Sequence, residues 1–377
     1  MTPDQRVDIA VIGAGITGLT AALHLSDAGC RIAVFDAGMN GGSNVNAGSL
    51  HVQLQSRFLR LYPDQAPNVE ASLPLYLAAT RAWDALDRRL GGVELVQKGG
   101  LMLAESATQM AFLEKKAERE RLSGLDVDIL DRAALEDIAP WLGDQVLGAE
   151  LCRDEGKLNP LLANKAARGA LASSGTVVTK RHVQTLELAP EGVRVCSDGG
   201  NCVAGHVILA TSWGTKSLAA DFGVNIPVAW EPLHMNITEP GDYRIEHLVQ
   251  HAEKPITLKQ FRSGQIVIGG GWEAKYDPAV GTPQVLKPSL LGNVALAAHL
   301  APGIAHLRLM RTWAGLNTIT DGKSIIGPLP GVPRVLVAVP GDAGYTLGPI
   351  IGPASADIAL GRKPQFDTKP YAPDRFA

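Results

Sequence analysis

Residues 7–36 read VDIAVIGAGITGLTAALHLSDAGCRIAVFD, and this stretch decides the fold. The run 7–12 is short and apolar without a helical period, which predicts a buried parallel strand. Gly13, Gly15 and Gly18 follow at the spacing of a dinucleotide-binding turn. The first permits the tight turn, the second lets the backbone approach a pyrophosphate, and the third lets the helix pack on the strand. The helix N-terminus then presents free N–H groups and partial positive charge to the phosphates.

A second apolar run, residues 31–35, ends at Asp36, 18 positions after Gly18. An acid at this point is placed to bind the hydroxyls of an adenosine ribose. The next stretch, 37–51, is rich in glycine, asparagine and small residues. It predicts a loop that lies close to a flat ligand and cradles anionic oxygens with backbone N–H groups. Taken in isolation, the same loop could be a plain connector.

Composition narrows the class of protein. The chain has 377 residues, of which 46% are hydrophobic and 19% charged, as in a soluble globular protein. The net charge of −3 disfavours nucleic acid and anionic membranes as partners. The four cysteines form no CxxC pair, so no disulfide framework is expected and a reducing compartment fits. We see no signal region and no run approaching the roughly 20 apolar residues of a membrane helix, so a cytoplasmic location without a membrane span is expected.

The rest of the chain alternates between helical and strand patterns. Helices are predicted over 73–90, 107–123, 160–172, 288–300 and 350–360, with the charged helix 107–123 interpreted as a solvated outer face. The apolar run 207–210 returns the chain to the nucleotide-binding sheet, and 256–271 reads as a hairpin. We predict an α/β fold in which a Rossmann-type domain (1–75, 150–220 and 325–365) is interleaved with an α+β substrate domain on an antiparallel sheet (76–149 and 221–324).

Four blocks together resemble the flavin-dependent D-amino-acid, glycine and sarcosine oxidase superfamily. They are 7–36, SNVNAG at 43–48, VILATSWG at 207–214, and the C-terminal pair RTWAG at 311–315 with GDAGYTLG at 341–348. The resemblance implies FAD, with its ADP half at the first block, Val183 at the adenine, and the flavin at the second and last blocks. The N-terminus of the helix predicted from Ile350 would face the flavin N1–C2=O edge. The FAD-binding positions implied are Gly13, Ala14, Gly15, Ile16, Thr17, Gly18, Asp36, Ala37, Ser43, Asn44, Asn46, Ala47, Gly48, Ser49, Leu50, Val183, Ala210, Thr211, Trp213, Gly315, Gly344, Tyr345, Thr346, Leu347 and Gly348.

Within the superfamily, NAGSLHVQ at 46–53 and the blocks at 313–327 and 344–349 are most similar to the smaller, catalytic subunits of opine (octopine and nopaline) oxidases and related heteromeric amine dehydrogenases. That resemblance implies a larger partner subunit and a small iron–sulfur subunit. The same resemblance is also compatible with a second flavin, FMN, at a subunit interface. The chain has no iron–sulfur cysteine spacing, so any cluster belongs to a partner.

Two departures bear on the substrate. Glycine oxidase-like enzymes carry an arginine carboxylate clamp two positions after Trp-Ala-Gly, where this chain has Asn317. The turn before the last helix, which often holds His or Cys in the family, has Asp342. Both changes favour a larger N-substituted amino acid over glycine or sarcosine.

The expected reaction is oxidation of a secondary amine to an imine, which hydrolyses to an amino acid and a 2-oxo acid. His51, Lys259 and Tyr345 are the candidate catalytic residues, and further pocket candidates are Glu231, His234 and Arg262. Three of these residues also have a non-catalytic interpretation. Lys259 could be a surface lysine, His51 a structural histidine with its hydrogen bonds satisfied, and Glu231 half of a surface ion pair. A stand-alone glycine, sarcosine or D-amino-acid oxidase and a non-catalytic flavoprotein subunit are the alternative functions.

Overall fold

The computed structural model describes residues 5–39 and 41–377. Residues 1–4 and Asn40 lie outside the described residues. The first four are at the start of the predicted nucleotide-binding domain. Asn40 belongs to the predicted loop at 37–51, which we call the flavin loop. The helices are α1 (Ile16–Asp27), α2 (Gly42–Val45), α3 (Ser56–Leu61), α4 (Ala66–Leu90), α5 (Ala107–Leu122), α6 (Arg132–Ile138), α7 (Pro160–Ser173), α8 (Thr215–Ala220), α9 (Lys287–Leu300) and α10 (Gly344–Ala359). The strands are β1 (Gln5–Ile12), β2 (Ile32–Asp36), β3 (Ser49–Leu50), β4 (Gly100–Ala104), β5 (Val127–Asp131), β6 (Gly148–Cys152), β7 (Gly156–Lys157), β8 (Val178–Lys180), β9 (Val183–Ala189), β10 (Gly192–Ser197), β11 (Gly200–Leu209), β12 (Ala229–Thr238), β13 (Leu248–His251), β14 (Thr257–Gln260), β15 (Ile266–Gly269), β16 (Ala274–Lys275), β17 (Gln284–Val285), β18 (Leu309–Ile319), β19 (Ile325–Leu329) and β20 (Val332–Val339).

The first sheet is built on the stretch from Val7 to Asp36. Its strands run in the order β19-β20-β11-β1-β2-β8, and β9 and β10 join it through β11. β1 is parallel to both β2 and β11, and Val11 lies between Val34 and Ile208 in the register. All three side chains are fully buried. The predicted strand–turn–helix–strand unit and the α/β fold class are therefore confirmed.

Helix α10 differs from its prediction because it begins at Gly344, not at Ile350. Pro349 and the glycines before it, which the sequence pattern indicates as a turn, lie inside the helix. Pro349 cannot donate to the Tyr345 carbonyl. The indole Nε1 of buried Trp83 donates to that oxygen instead, at 3.1 Å. Gly352 lets α10 pack tightly on α1, since a Cβ there would lie 2.3 Å from the Thr17 carbonyl oxygen.

The second sheet runs in the order β18-β12-β15-β14-β13-β4-β6-β5, and its described pairings are antiparallel except for β13 with β4. One face packs against α9 through Val249, Leu258 and Ile268. The other face carries the side chains that matter for the site. The predicted domain limits at 75/76 and 149/150 fall inside α4 and β6. No helix of the described residues is long and apolar enough to cross a membrane.

Helix α5 is charged, but it is not the wholly solvated face that its composition indicates. Lys116 and Glu120 on α5 are completely buried, together with Glu150 on β6. The Lys116 ammonium contacts carboxylate oxygens of both acids at 2.8 Å and donates to Gln53 Oε1 at 3.1 Å. Burial, opposed by the Lys116 charge and reinforced by Glu120, raises the pKa of Glu150.

Glu155 extends this buried network to the segment that follows β3. It is fully buried and accepts hydrogen bonds from the Val52 and Gln53 backbone and from the Gln53 and Gln250 side chains, at 2.8–3.1 Å. Glu120 accepts from the Leu54 backbone at 2.5 Å. The network therefore fixes residues 51–55, which connect the flavin loop and β3 to helix α3.

We expect Lys116→Met to destabilise the protein by about 3–5 kcal/mol, because it leaves buried carboxylates without their cation. Chemical denaturation measures the change in the free energy of unfolding. Lys115→Met, one position earlier and on the exposed side of α5, is the matched control and should change little. Equal stability of the Lys116 variant and the wild type would contradict a charged role for this network.

Candidate active site

A deep groove at the carboxyl ends of the parallel strands contains the glycine-rich turn. Gly13 has a φ of +96°, and a Cβ there would lie 2.3 Å from the Ala210 carbonyl oxygen. A Cβ at Gly18 would lie 1.8 Å from the Gly13 oxygen, so Gly18 lets α1 pack against the turn. Gly15 is different: its φ of −71° suits any residue, and a Cβ would meet only the Ser43 side chain, with the hydroxyl at 3.0 Å. Gly15 thus leaves space on the ligand side of the turn.

Helices α1 and α10 both begin at this groove, and neither N-cap residue caps its helix with a side chain. Gly15 and Ala343 are the N-cap residues of α1 and α10 and supply no side-chain hydrogen bond. Asp36 lines the groove and accepts from the Ala14 backbone at 3.1 Å and from Arg168 at 3.0 Å. The Ser43 hydroxyl accepts from the Ile16 N–H of α1 at 3.0 Å. The other N–H groups at these helix N-termini can bind anions, and a carboxylate can bind ribose hydroxyls.

The positions implied for FAD fall into three groups. Those that line the groove are Gly13, Ala14, Gly15, Thr17, Asp36, Ala37, Ser43, Asn44, Asn46, Val183, Ala210, Thr211, Trp213, Gly344 and Tyr345. Those that line the adjoining cavity are Ala47, Ser49, Gly315 and Thr346. The remainder support the two helices or the loop by packing: Ile16, Gly18, Gly48, Leu50, Leu347 and Gly348.

These features fit an FAD molecule. The turn has room where a pyrophosphate would approach, two helix N-termini face the groove, and the acid stands at the end of β2. Gly315 lets the flavin loop close against β18, because a Cβ there would lie 2.1 Å from the Val45 side chain. The Trp313 indole donates to the Val45 carbonyl at 2.9 Å and holds the loop in that place.

We expect Gly15→Ala to fold but to bind FAD at least about tenfold more weakly, because the added methyl group occupies the space beside the helix N-terminus. The flavin content after purification and the dissociation constant by fluorescence titration measure the effect. Gly169→Ala on α7 is the control, since a Cβ there meets nothing within 4 Å. Full flavin content in the Gly15 variant would contradict this placement.

A second cavity, of about 200 Å³, joins the groove at the flavin loop. The two share Gly42, Asn46, Asn317, Asp342, Gly344 and Tyr345. The second cavity extends from there under the second sheet to α3 and the 254–257 segment. The arrangement is that of a cofactor groove that opens into a substrate cavity.

Lys259 lies on β14 with its side chain completely buried. Its ammonium donates to Ser49 Oγ in the flavin loop at 2.7 Å and lies 3.5 Å from Thr257 Oγ1. No carboxylate pairs with it among residues 5–39 and 41–377. Burial, with help from the nearby Lys157 charge, lowers the pKa of Lys259 to about 7. The side chain is therefore a buried, titratable group beside the flavin loop, not a surface lysine.

Arg57 on α3 is the residue that sequence reasoning missed. It lines the substrate cavity, and its Nη atoms donate to both Glu231 oxygens, at 3.1 and 2.8 Å. Burial opposes the Arg57 charge, but the ion pair outweighs it and raises the pKa. Gly271 makes room for the Arg57 side chain, because a Cβ there would lie 2.3 Å from Nε. Glu231 thus binds a guanidinium of the chain itself, within the cavity wall.

The two departures from the family pattern contact each other. Asn317 Nδ2 donates to Asp342 Oδ1 at 2.5 Å and lies 3.3 Å from Glu231 Oε1. Burial raises the pKa of Asp342, while the Asn317 hydrogen bond and the Arg57 charge oppose the increase. Arg57, Glu231, Asn317 and Asp342 therefore form one polar cluster at the junction of groove and cavity.

The other candidates lie in different environments. His51 is at the cavity wall, with Nδ1 at 3.8 Å from Glu155 Oε1. The Tyr345 hydroxyl bonds to the Pro160 carbonyl and Asn164, and its ring stacks on Trp83, which argues against a catalytic hydroxyl and indicates a packing role. His234 borders the cavity through β12, but its side chain shares the strand face of Asn236, which bonds to α9. Arg262 is exposed in the 261–264 turn, away from the cavity lining.

Comparisons with known proteins agree with this geometry. Residues 8–358 match the DAO family, described as FAD dependent oxidoreductase. Glycine oxidase from Bacillus licheniformis is 28% identical over 95% of this chain and 94% of its own length, and one subunit of the opine oxidase from Rhizobium meliloti is 25% identical over 85% and 84%. The crystal structure of glycine oxidase from Geobacillus kaustophilus superposes with a TM-score of 0.81 at 22% identity, covering 98% of both chains. This chain belongs to the DAO family of FAD-dependent oxidoreductases, which act on amino acids and amines.

Proposed function

We propose that this protein is the FAD-containing catalytic subunit of a heteromeric dehydrogenase that oxidises the C–N bond of an N-substituted amino acid of the opine type. The observation that carries the proposal is the cluster in which Asn317 stands where glycine oxidase-like enzymes have their arginine, while Arg57 enters the cavity from α3. The similarity to a subunit of an opine oxidase supports the same substrate class.

Charged residues of the cavity wall are placed to bind the carboxylates of such a substrate. Glu231 holds the Arg57 guanidinium, whose Nε–H and remaining Nη hydrogens have no partner in the described part of the chain and can donate to a substrate carboxylate. Lys254 lines the other end of the cavity, where its ammonium pairs with Glu105, and opines carry a second carboxylate that could compete for this cation. When bound, FAD supplies the two-electron acceptor for the Cα–H bond of the amine. The cavity orients the amine so that this bond faces the flavin loop.

A glycine oxidase-type enzyme acting alone is the second candidate, because glycine oxidase from Bacillus licheniformis matches almost the whole chain. The two functions differ in electron acceptor and assembly. The opine proposal predicts dye-linked turnover, slow reaction with oxygen, and co-purification with a larger subunit and an iron–sulfur protein from the native host. Rapid peroxide formation by the isolated chain with glycine would contradict it and support the second candidate.

The interface with those partners, an FMN at that interface and the cytoplasmic location are parts of the same proposal. Purification of the native complex from a cytoplasmic fraction tests them together. Two flavins per complex, one released as FMN, are expected; a single flavin would remove the FMN from the proposal.

A further inference from the structure

Asp342 occupies an unusual position in the molecule. It lines the cofactor groove, the substrate cavity and a third, smaller cavity of about 30 Å³. The third cavity lies between His51, Tyr76 and Lys323. Its other lining includes the polar side chains of Gln53, Gln55 and Thr320 and the apolar side chains of Val52, Phe58 and Val69. Its size accommodates about two or three water molecules, since one water needs roughly 10–15 Å³ of such space.

The Asp342 carboxylate keeps one oxygen available. Asn317 donates to Oδ1, and Oδ2 has no hydrogen-bond partner among the described residues. Glu231 is the other carboxylate of the cluster, and both of its oxygens are engaged by Arg57. The charged and titratable groups around Asp342 are Arg57 from α3, Glu231 from β12, His51 after β3, Tyr62 after α3, Tyr76 from α4, and Lys323 across the small cavity.

The proposed reaction requires a proton acceptor. A secondary amine in neutral water is an ammonium ion, and its nitrogen lone pair must be free before the adjacent Cα–H bond can yield a hydride. One N–H proton must therefore leave each substrate molecule in the cavity. Arg57 is a permanent cation, and Lys259 donates to Ser49 Oγ and lines neither the groove nor the substrate cavity, so neither is placed to accept this proton.

We propose that Asp342 accepts this proton. The inference rests on the proposed function. One N–H bond of the ammonium breaks, its electron pair remains on nitrogen as the lone pair, and an O–H bond forms at Asp342 Oδ2. Asn317 positions the carboxylate through Oδ1, and water in the small cavity returns the proton to solvent. Burial of Asp342 raises its pKa, which brings the carboxylate closer to the pKa of an amine and improves it as a base.

Asp342→Asn is the decisive variant because it keeps the shape and the hydrogen-bond acceptor for Asn317 but removes the basic oxygen. We expect anaerobic flavin reduction at pH 7 to slow by about 10²- to 10³-fold, within the range for general base catalysis. The rate in wild type should rise with pH through the pKa of Asp342 and then level off. In the variant it should rise with the fraction of free amine, up to the amine's own pKa.

A binding measurement gives a readout independent of turnover. 2-(Methylamino)isobutyrate has no Cα–H bond and cannot be oxidised at Cα, and an unchanged flavin absorbance during binding confirms that its N-methyl group is not oxidised either. Infrared difference spectra on its binding should show the carbonyl band of a protonated carboxylic acid in wild type and not in Asp342→Asn. Glu231→Gln is the matched control: its substrate affinity falls and its pH profile moves to lower pH, because the Glu231 charge helps to raise the Asp342 pKa, but the carbonyl band remains.

Asn317→Leu provides a second test if Asp342→Asn folds poorly. Loss of the Asn317 hydrogen bond should raise the Asp342 pKa further and shift the pH profile to higher pH. Wild-type reduction rates with an unchanged pH profile in Asp342→Asn, or persistence of its carbonyl band, would overturn the proton-acceptor role alone. A wild-type flavin that no secondary amine reduces would overturn this role together with the proposed function.

Discussion

Replacement of Arg57 by alanine is expected to raise the KM for the amino-acid substrate by about 10²- to 10³-fold, with a smaller change in kcat. The variant removes a forked, charge-assisted hydrogen bond to the substrate carboxylate, in which each bond contributes roughly 1.5–3 kcal/mol. It also leaves Glu231 without its partner in the cavity wall. Both consequences weaken binding of an anionic group.

The measurement is the substrate dependence of anaerobic flavin reduction, together with the dissociation constant of a carboxylate inhibitor. Arg57→Lys should recover part of the affinity, because it restores the charge but not the fork. Arg60→Ala is the matched control on the same helix, since Arg60 donates to the Ala252 carbonyl and does not line the cavity. An unchanged KM in Arg57→Ala would assign the carboxylate to another group.

Replacement of Lys259 by methionine is expected to stabilise the apoprotein and impair turnover. The pKa of Lys259 is about 7 in the folded protein, against an ordinary value of 10.5, so between these values the unfolded state binds more protons. Stability of the wild type therefore rises with pH across that window. Below pH 7 the buried charge destabilises the folded state by on the order of 5 kcal/mol. The gain from methionine should be largest at pH 6 and small by pH 10.

Denaturation of the flavin-free protein at several pH values measures this effect, and turnover of the holoprotein measures the functional loss. We expect turnover to fall at least about tenfold because the cation beside Ser49 is lost. Lys157→Met is the control: burial lowers the pKa of Lys157 to about 7 as well, but its ammonium donates to the Ile245 carbonyl, whereas that of Lys259 donates to Ser49 in the flavin loop. It should share the pH-dependent stabilisation and retain turnover. Loss of stability in Lys259→Met at pH 6 would contradict this interpretation.

The parts of the site that sequence reasoning predicts are those whose residues are close in the chain. Gly13, Gly15, Gly18 and Asp36 belong to one strand–helix–strand unit, so their spacing alone determines their geometry. The similarity of the remaining blocks to flavoenzymes extends this prediction to the loop and to the C-terminal helix. The positions predicted in this way line the groove or pack directly behind its lining residues.

The parts that sequence reasoning misses depend on contacts between distant segments. Arg57 meets Glu231 across 174 positions, and Asn317 meets Asp342 across 25, so neither pair has a local pattern. Tyr345 is a candidate catalytic residue because it lies in the flavin block, but Pro160 and Asn164 on α7 bind its hydroxyl. The predicted start of α10 is wrong because a proline normally interrupts a helix, and here Trp83 satisfies the carbonyl that Pro349 leaves free.

The most direct test of the proposed function is anaerobic bleaching of the bound flavin with a panel of octopine, nopaline, proline, sarcosine and glycine. We predict rapid bleaching by an opine and slow or absent bleaching by glycine and sarcosine, with the opine response lost in Arg57→Ala. Rapid bleaching by glycine or sarcosine, without a response to either opine, would contradict the proposed substrate class and place the protein with the simple amino-acid oxidases.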